Sequence, residues 1–370
     1  MRALALLAAI VAAFPAVSAP PSPLQADQKD PTKAPKIYVV PFGVGGHGQI
    51  GTDIHSSIYE KLVQDVKAKK PDLLVLKLES FDRTKNWQRD MVGRDEMGRF
   101  DREDARKTLL LFKQDLAEFP QVMWVKDSVG FATLFAMAWP NMYTDGEARL
   151  YGLARINEMT QHPDPEVQRK FEAAIMSIAN GFLKEGGHPS VLGDAMMRPE
   201  KLLSVSFKGR ELTWLPDTTG TIVIDGSPES VANIDARTAE DLGLSGGTAE
   251  SIEDLMFQMG YREWDDSLVK QGLDGQKLVG DYVTNWRKAM DASLQAWGQY
   301  EQLKGDSDPK GLPKQAKALE QIRDAMAKYP AVEFRWKQQS GGKMNRDAVD
   351  GMIKQVRDQI KKSKAKGSSS

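Results

Sequence analysis

Cysteine is missing from all 370 residues. That one absence removes disulfides, thiolate nucleophiles, zinc ribbons and iron–sulfur ligation. Histidine is scarce, with four residues, His47, His55, His162 and His188, for any imidazole chemistry. His47 and His55 lack the carboxylate spacing of a metal site and read as loop and helix-surface residues. His162 precedes Pro163, and His188 lies in Gly186-Gly187-His188-Pro189, so both fall in turns by composition. Neither a metal nor a cofactor is expected. Neither sign of charge is in excess, since 50 Lys and Arg stand against 51 Asp and Glu. The basic bias of a dedicated nucleic-acid binder is therefore lacking, and no nucleic-acid partner is expected.

What is present describes a soluble globular chain, 41% hydrophobic and 27% charged. It is long enough for one large domain with an appendage, or for two domains. Met1-Arg2, the apolar run from Ala3 to Phe14 and the small-residue stretch Pro15-Ala16-Val17-Ser18-Ala19 read as a secretory signal peptide over residues 1–19. The apolar stretch falls short of the roughly 20 residues a spanning helix needs, and no later segment reaches that length. The expectation is a periplasmic or secreted protein with no stable membrane anchor after cleavage. Residues 20–36, rich in Pro, Asp, Lys and Gln, read as a disordered linker.

The mature chain then alternates strand and helix patterns. Ile37 to Phe42 is a β-rich run, a glycine-dense loop occupies Gly43 to Gly51, and helical spacing follows from Asp53 to Lys69. Leu73 to Leu78 is the near-continuous apolar run of a strand buried on both faces. Residues 79–107 are dense in charge and read as an exposed, partly helical insertion. Leu109 to Leu116 is helical, Val122 to Val125 is a third strand, and Phe131 to Ala138 is an apolar helix. This alternation predicts an α/β layer with a parallel sheet. Helices follow at Val167 to Leu183, Thr238 to Leu242 and Ile252 to Met259, with short β pieces between Leu202 and Ile224. Past Gly260 the texture changes to three helical patterns, Leu278 to Leu303, Lys314 to Tyr329 and Arg346 to Lys362. Trp286, Trp297 and Trp336 there read as packing residues, by which the appendage folds or docks onto the sheet. From Lys343 onward eight basic residues face three acidic ones, read as a solvated helix.

Gly43-Val44-Gly45-Gly46-His47-Gly48 fits G-x-G-x-x-G between a strand and a helix, the context of a dinucleotide fingerprint. Two spacings oppose that alternative. The helical pattern begins near Asp53 rather than at the third glycine, and Glu79 lies 31 positions past Gly48 where about 20 is usual. A loop is the preferred reading.

Three separated segments resemble one family. Ile37-Tyr38-Val39-Val40-Pro41 with Ile50-Gly51, the helix through Leu62 and Asp72 to Leu78 resemble its opening strand, glycine loop, helix and second strand. Pro120 to Val125, then Ser128-Val129-Gly130 and Leu134 to Ala138, are similar to its third strand, nucleophile turn and small-residue helix. Ile234 to Leu244 with Ser251 to Leu255 resemble its closing segment. The family is the Clp-protease-like branch of the crotonase superfamily, and especially the extracytoplasmic domain of NfeD-type and signal-peptide-peptidase-A-type serine proteases. The resemblance implies an α/β crotonase-like domain of stacked ββα units over residues 37–265, followed by a helical C-terminal module over 276–365. It also implies an extended peptide or unfolded protein as partner, faced by the turn residues Gly45, Gly46, Val129 and Gly130, and a possible homo-oligomer.

Serine–lysine catalysis needs a desolvated lysine to accept the hydroxyl proton and amide donors to hold the oxyanion. The resemblance places Gly130 where the nucleophile belongs, with Ser128 two residues early. Lys170 falls in the region of the base lysine, although Glu166 or Arg169 fits the same place. Glu79-Ser80-Phe81-Asp82-Arg83 stands where a glycine pair is expected. Ser128 and Lys170 are thus the candidate catalytic pair of an endopeptidase, and Ser128 or Asp127 reads otherwise as a helix cap. The preferred expectation is a degenerate centre that binds peptide or protein.

Overall fold

The computed structural model describes residues 33–81, 101–154, 156, 162–209, 211–269, 274–305 and 310–367. The expected signal peptide and most of the linker lie outside them, as do residues 82–100 of the charged insertion. The chain is mixed α/β, with a parallel-rich sheet and a helical C-terminal part.

Strands β1 (Lys36–Phe42), β2 (Leu73–Glu79) and β3 (Gln121–Val129) pair in parallel, with Val39 opposite Val75 and Val75 opposite Val122. Alternate side chains point to opposite faces, and both faces are covered. Tyr38, Val40, Phe42, Leu74, Leu76, Leu78, Met123 and Val125 join the larger core. Ile37, Leu73, Val75, Val122 and Trp124 pack with Leu255, Met256 and Tyr261. Burial on both sides is why the strands read as apolar runs rather than as alternations. β1 leads into α1 (Ser56–Lys69), which lays Ile58, Tyr59, Leu62, Val63 and Val66 on the sheet.

Between β2 and β3, α2 (Arg102–Leu110) passes into a single π turn at Leu111–Asp115. The Gln121 side-chain amide donates to the Phe112 and Leu116 carbonyls there, at 2.7 and 3.0 Å. In the described part of the expected insertion Asp104 and Ala105 are buried, while Arg102, Glu103, Arg106 and Lys107 are exposed.

β3 extends beyond the expected Val125. Its pairing with β2 slips after Leu78 opposite Val125, so that Glu79 meets Asp127, a bulge that bends the strand. On its other side the first half pairs with β4 (Met142–Thr144) and the last two residues with β5 (Arg149–Tyr151). A sharp turn at Gly130 leads into α3 (Phe131–Ala136), and α4 (Pro165–Glu185) and α5 (Ser190–Met197) follow. β6 (Leu203–Lys208) is the middle strand of a small antiparallel sheet with β7 (Glu211–Leu215) and β8 (Ile222–Asp225). β9 (Ile234–Asp235) pairs antiparallel with β5, leading to α6 (Ala236–Asp241) and α7 (Ile252–Gln258). β10 (Asp265–Leu268) adds itself in parallel to the free edge of β1, an edge strand the sequence did not reveal.

The C-terminal helices are α8 (Asp274–Leu303), α9 (Gly311–Lys328), α10 (Pro330–Gln339) and α11 (Arg346–Gly367). α8 runs against α1 and β1, and α9 stacks on α8, with α10 and α11 against α9. Val279, Val283, Trp286, Leu319, Ile322 and Trp336 belong to the same buried cluster as the helix-covered face of the sheet. Expected helix Lys314 to Tyr329 is followed at once by α10, because Pro330 breaks the ladder and starts a new helix at its first position. No helix among the described residues is long and apolar enough to cross a membrane.

Candidate functional site

Ligand sites in open α/β layers gather at the carboxyl ends of parallel strands. Here those ends carry the glycine loop after β1, Glu79 and Ser80 at the end of β2, and Asp127 to Val129 closing β3 before Gly130.

Within the loop, Val44 and His47 exchange backbone hydrogen bonds of 3.0 and 3.2 Å, making a two-residue hairpin around Gly45 and Gly46. Both central residues have positive φ, 60° and 79°, as a type I′ turn requires. The glycines therefore serve a hairpin, and nothing lies within 4 Å of where a Gly45 side chain would begin. Gly48 packs on Ser80, leaving a Cβ only 2.8 Å from the Ser80 Cα. A dinucleotide would need the amino end of α1 free. It is occupied: the Asp104 carboxylate accepts from the Ser56 amide at 3.0 Å and from its hydroxyl at 2.6 Å, and the His55 ring caps Ser57. His55 is thus a capping residue beside Asp104 (Nδ1 to Oδ1 3.6 Å), not a helix-surface residue. Burial raises the Asp104 pKa, against the lowering effect of His55 and of the Ser56 hydrogen bonds.

Asp53 closes the loop. Its carboxylate has no exposed surface and accepts from Trp286 Nε1 (3.0 Å), Arg287 Nε (3.0 Å), Arg287 Nη2 (2.7 Å) and the Gln49 amide (3.1 Å). A fully buried carboxylate survives only when matched in this way, and the bidentate guanidinium matches it best. Trp286 and Arg287 come from α8, so the C-terminal helices complete the loop.

At the end of β3, Ser128 is fully buried. Its hydroxyl donates to the Arg149 carbonyl at 3.1 Å, and Thr133 Oγ1 lies 3.0 Å from it. Thr133 also reaches the Tyr151 carbonyl at 3.1 Å, so its single proton is shared between two acceptors. Ser128 is therefore a residue of the strand, not a cap. Asp127 does not cap α3 either; its Oδ1 accepts from the adjoining Ser128 amide at 3.0 Å. The helix begins at Gly130 without a side-chain hydrogen bond. Lys170 projects into solvent on α4, its ammonium 3.1 Å from Glu166, one turn away. The candidate pair Ser128 and Lys170 is not brought together, and among the described residues no basic nitrogen shares the Ser128 hydrogen bonds.

Val129 and Gly130 hold the turn. The Val129 amide donates to Ser80 Oγ at 3.1 Å and the Gly130 amide to the Tyr151 carbonyl at 2.8 Å. Gly130 itself has φ 62° and ψ −131°, a region open in practice to glycine. Strained strand-to-helix turns of this kind present a nucleophile when a serine occupies them; here no side chain is present. Ser80, standing where a glycine pair was expected, instead ties the loop to β3, since its carbonyl also accepts from Gln49 Nε2 at 3.4 Å.

Beside the turn, Lys126 pairs with Asp145, donates to the Glu250 carbonyl at 2.8 Å and sits over the Trp124 ring. Its charge is fully engaged. Among the described residues no group of three or more acidic or histidine side chains is placed to hold a metal ion. Sequence reasoning missed Asp53, Ser80, Asp104 and Arg287, all polar residues whose partners are remote in the chain. Asp53 stands beside the glycine loop in the sequence, but nothing there marks its partners. No protein-family model, curated protein or solved structure matches this chain.

Proposed function

We propose that this is an exported protein of crotonase-like ancestry that binds an extended peptide or protein segment without hydrolysing it. The observation that carries the reading is Gly130: the strained strand-to-helix turn keeps its shape while offering no oxygen. Further support comes from Ser128, whose hydroxyl is buried against a carbonyl, and from Lys170, which faces solvent. Exposed Val44 at the tip of the Gly45–Gly46 hairpin offers apolar surface beside the turn for a bound segment. Periplasmic or secreted placement follows from the signal-like first nineteen residues.

The test uses the mature chain with a fluorescent unfolded polypeptide. Anisotropy should report saturable binding, while the peptide stays intact and a serine-directed phosphonate leaves the protein unlabelled. Catalytic cleavage that disappears in Ser128→Ala would establish the serine endopeptidase reading instead. NAD is expected to leave the melting temperature unchanged, because Asp104 already fills the amino end of α1.

A further inference from the structure

A chain of buried polar contacts runs from the C-terminal helices to the turn at Gly130. Arg287 and Trp286 on α8 hold Asp53. Asp53 holds the Gln49 amide at 3.1 Å, and the Gln49 side chain reaches the Ser80 carbonyl at 3.4 Å. Ser80 Oγ in turn accepts the Val129 amide at 3.1 Å, one residue before Gly130. Gln49, Asp53, Ser80 and Val129 are all at most 7% exposed. In such surroundings water cannot replace a lost partner, so a change at one link must be accommodated by the next.

We propose that the C-terminal helical module sets the conformation of the strand-to-helix turn through the relay Arg287–Asp53–Gln49–Ser80–Val129. The module is then a control element for that turn, and whatever shifts α8 alters the surface the turn presents. Three features argue for a device rather than ordinary docking. Gln49 is the common node, because its main chain also closes the loop by accepting from the Thr52 and Ile54 amides. The link into β3 falls after the register slip at Leu78, where β3 exchanges β4 for β5 as its neighbour and the Ser80 hydroxyl takes the place of a ladder acceptor for the Val129 amide. Finally, the turn's left-handed glycine rests on few hydrogen bonds, those of the Val129 and Gly130 amides and the Gly130 carbonyl accepting from Thr133 at 3.2 Å. The consequence for peptide capture rests on the proposed function, but the relay itself exists in the free protein and is measured there.

Amide hydrogen exchange on the whole mature chain, without ligand, tests it. In Arg287→Ala, amides 49–53 and 128–131 should exchange at least tenfold faster. Arg323→Ala, a partly exposed change on α9 of the same module whose partners are Asp324 and Asp350, should leave both segments as they are. Gln49→Ala keeps the Asp53–Arg287 pair but cuts the link to Ser80, so it should speed amides 128–131 and leave α8 unchanged. This second variant keeps the proposal testable if Arg287→Ala does not fold. Wild-type exchange at 128–131 in Gln49→Ala overturns the relay, as does acceleration of that segment by Arg323→Ala. Failure of the wild type to bind peptide, with the expected exchange effects present in both variants, would instead count against the proposed function alone.

Discussion

At Asp53 a carboxylate with no access to water meets a guanidinium that is mostly withdrawn from it. Removing one member of such a pair leaves an uncompensated buried charge, which typically costs about 3–5 kcal/mol. Arg287→Ala should therefore lower the free energy of unfolding by that order in urea titrations, and Asp53→Ala added to it should restore part of the loss. Additive losses would show that the two side chains act independently. Ser128 tests a different scale of interaction. Its hydroxyl makes one neutral hydrogen bond to Arg149 and stands beside Thr133, so Ser128→Ala is expected to cost about 1–2 kcal/mol. His188 carries the clearest pH dependence. Burial pushes its pKa down to about 4 from the ordinary 6.5, and its Nε2 is buried without a partner among the described residues. A base whose pKa is depressed by folding contributes stability in full above its unfolded value and loses it as the pH falls from 6.5 toward 4. The shift corresponds to at most about 3 kcal/mol. The stability difference between wild type and His188→Gln should therefore change steadily across that interval in denaturant titrations, and a constant difference would contradict the burial of the ring.

Among the elements, those whose signal is local were legible. β1, β2, α1, α4 and α11 fall close to their expected bounds, because burial on two faces or one helical stripe writes itself into consecutive residues. What escaped depends on partners far along the chain. β3 runs on to Val129 because Asp127 and Ser128, turn-like by composition, find main-chain partners within the fold. β10, with the sequence Asp-Asp-Ser-Leu, is a strand only because the edge of β1 supplies its ladder. The candidate site divides in the same way. Gly130 at a tight turn was visible, whereas Asp53, Ser80 and Arg287 were not, since no periodicity joins residues from a loop, a strand end and a distant helix. The glycine motif makes an element-scale prediction. A type I′ turn accepts asparagine at its first central position and resists branched side chains at either. Gly45→Asn should stay within about 0.5 kcal/mol of wild type, while Gly46→Val should cost about 1–2 kcal/mol. Thermal unfolding distinguishes these outcomes, and equal effects would mean that the loop does not form the hairpin.

For the whole molecule, the question is whether the helices after residue 269 are an appendage or part of the body. Their amphipathic stripes would look the same in either case, because periodicity shows that a face is buried but not what it meets. Here α8 meets the sheet. Gln276 donates to the Val39 and Leu268 carbonyls at 2.8 and 3.0 Å, Gly275 packs so closely that a Cβ would lie 2.4 Å from the Tyr38 hydroxyl, Trp286 donates to Asp53 and Arg287 neutralises it. Farther out, Trp336 donates to Ser293 and its ring sits edge-on to Trp297, so the outer helices are anchored through α8. A chain ending at 269 would uncover the α1 and β1 surfaces that α8 buries and leave the Asp53 carboxylate facing an apolar breach. The expected result is a fragment that aggregates or, if recovered, binds a hydrophobic dye and loses its near-ultraviolet dichroism, whereas the chain with its C-terminal helices unfolds in one cooperative transition. A truncated sheet domain with a sharp melt and native aromatic dichroism would mean that the continuous core is two separable ones. The relay through Gln49 would then join independent bodies rather than regions of one.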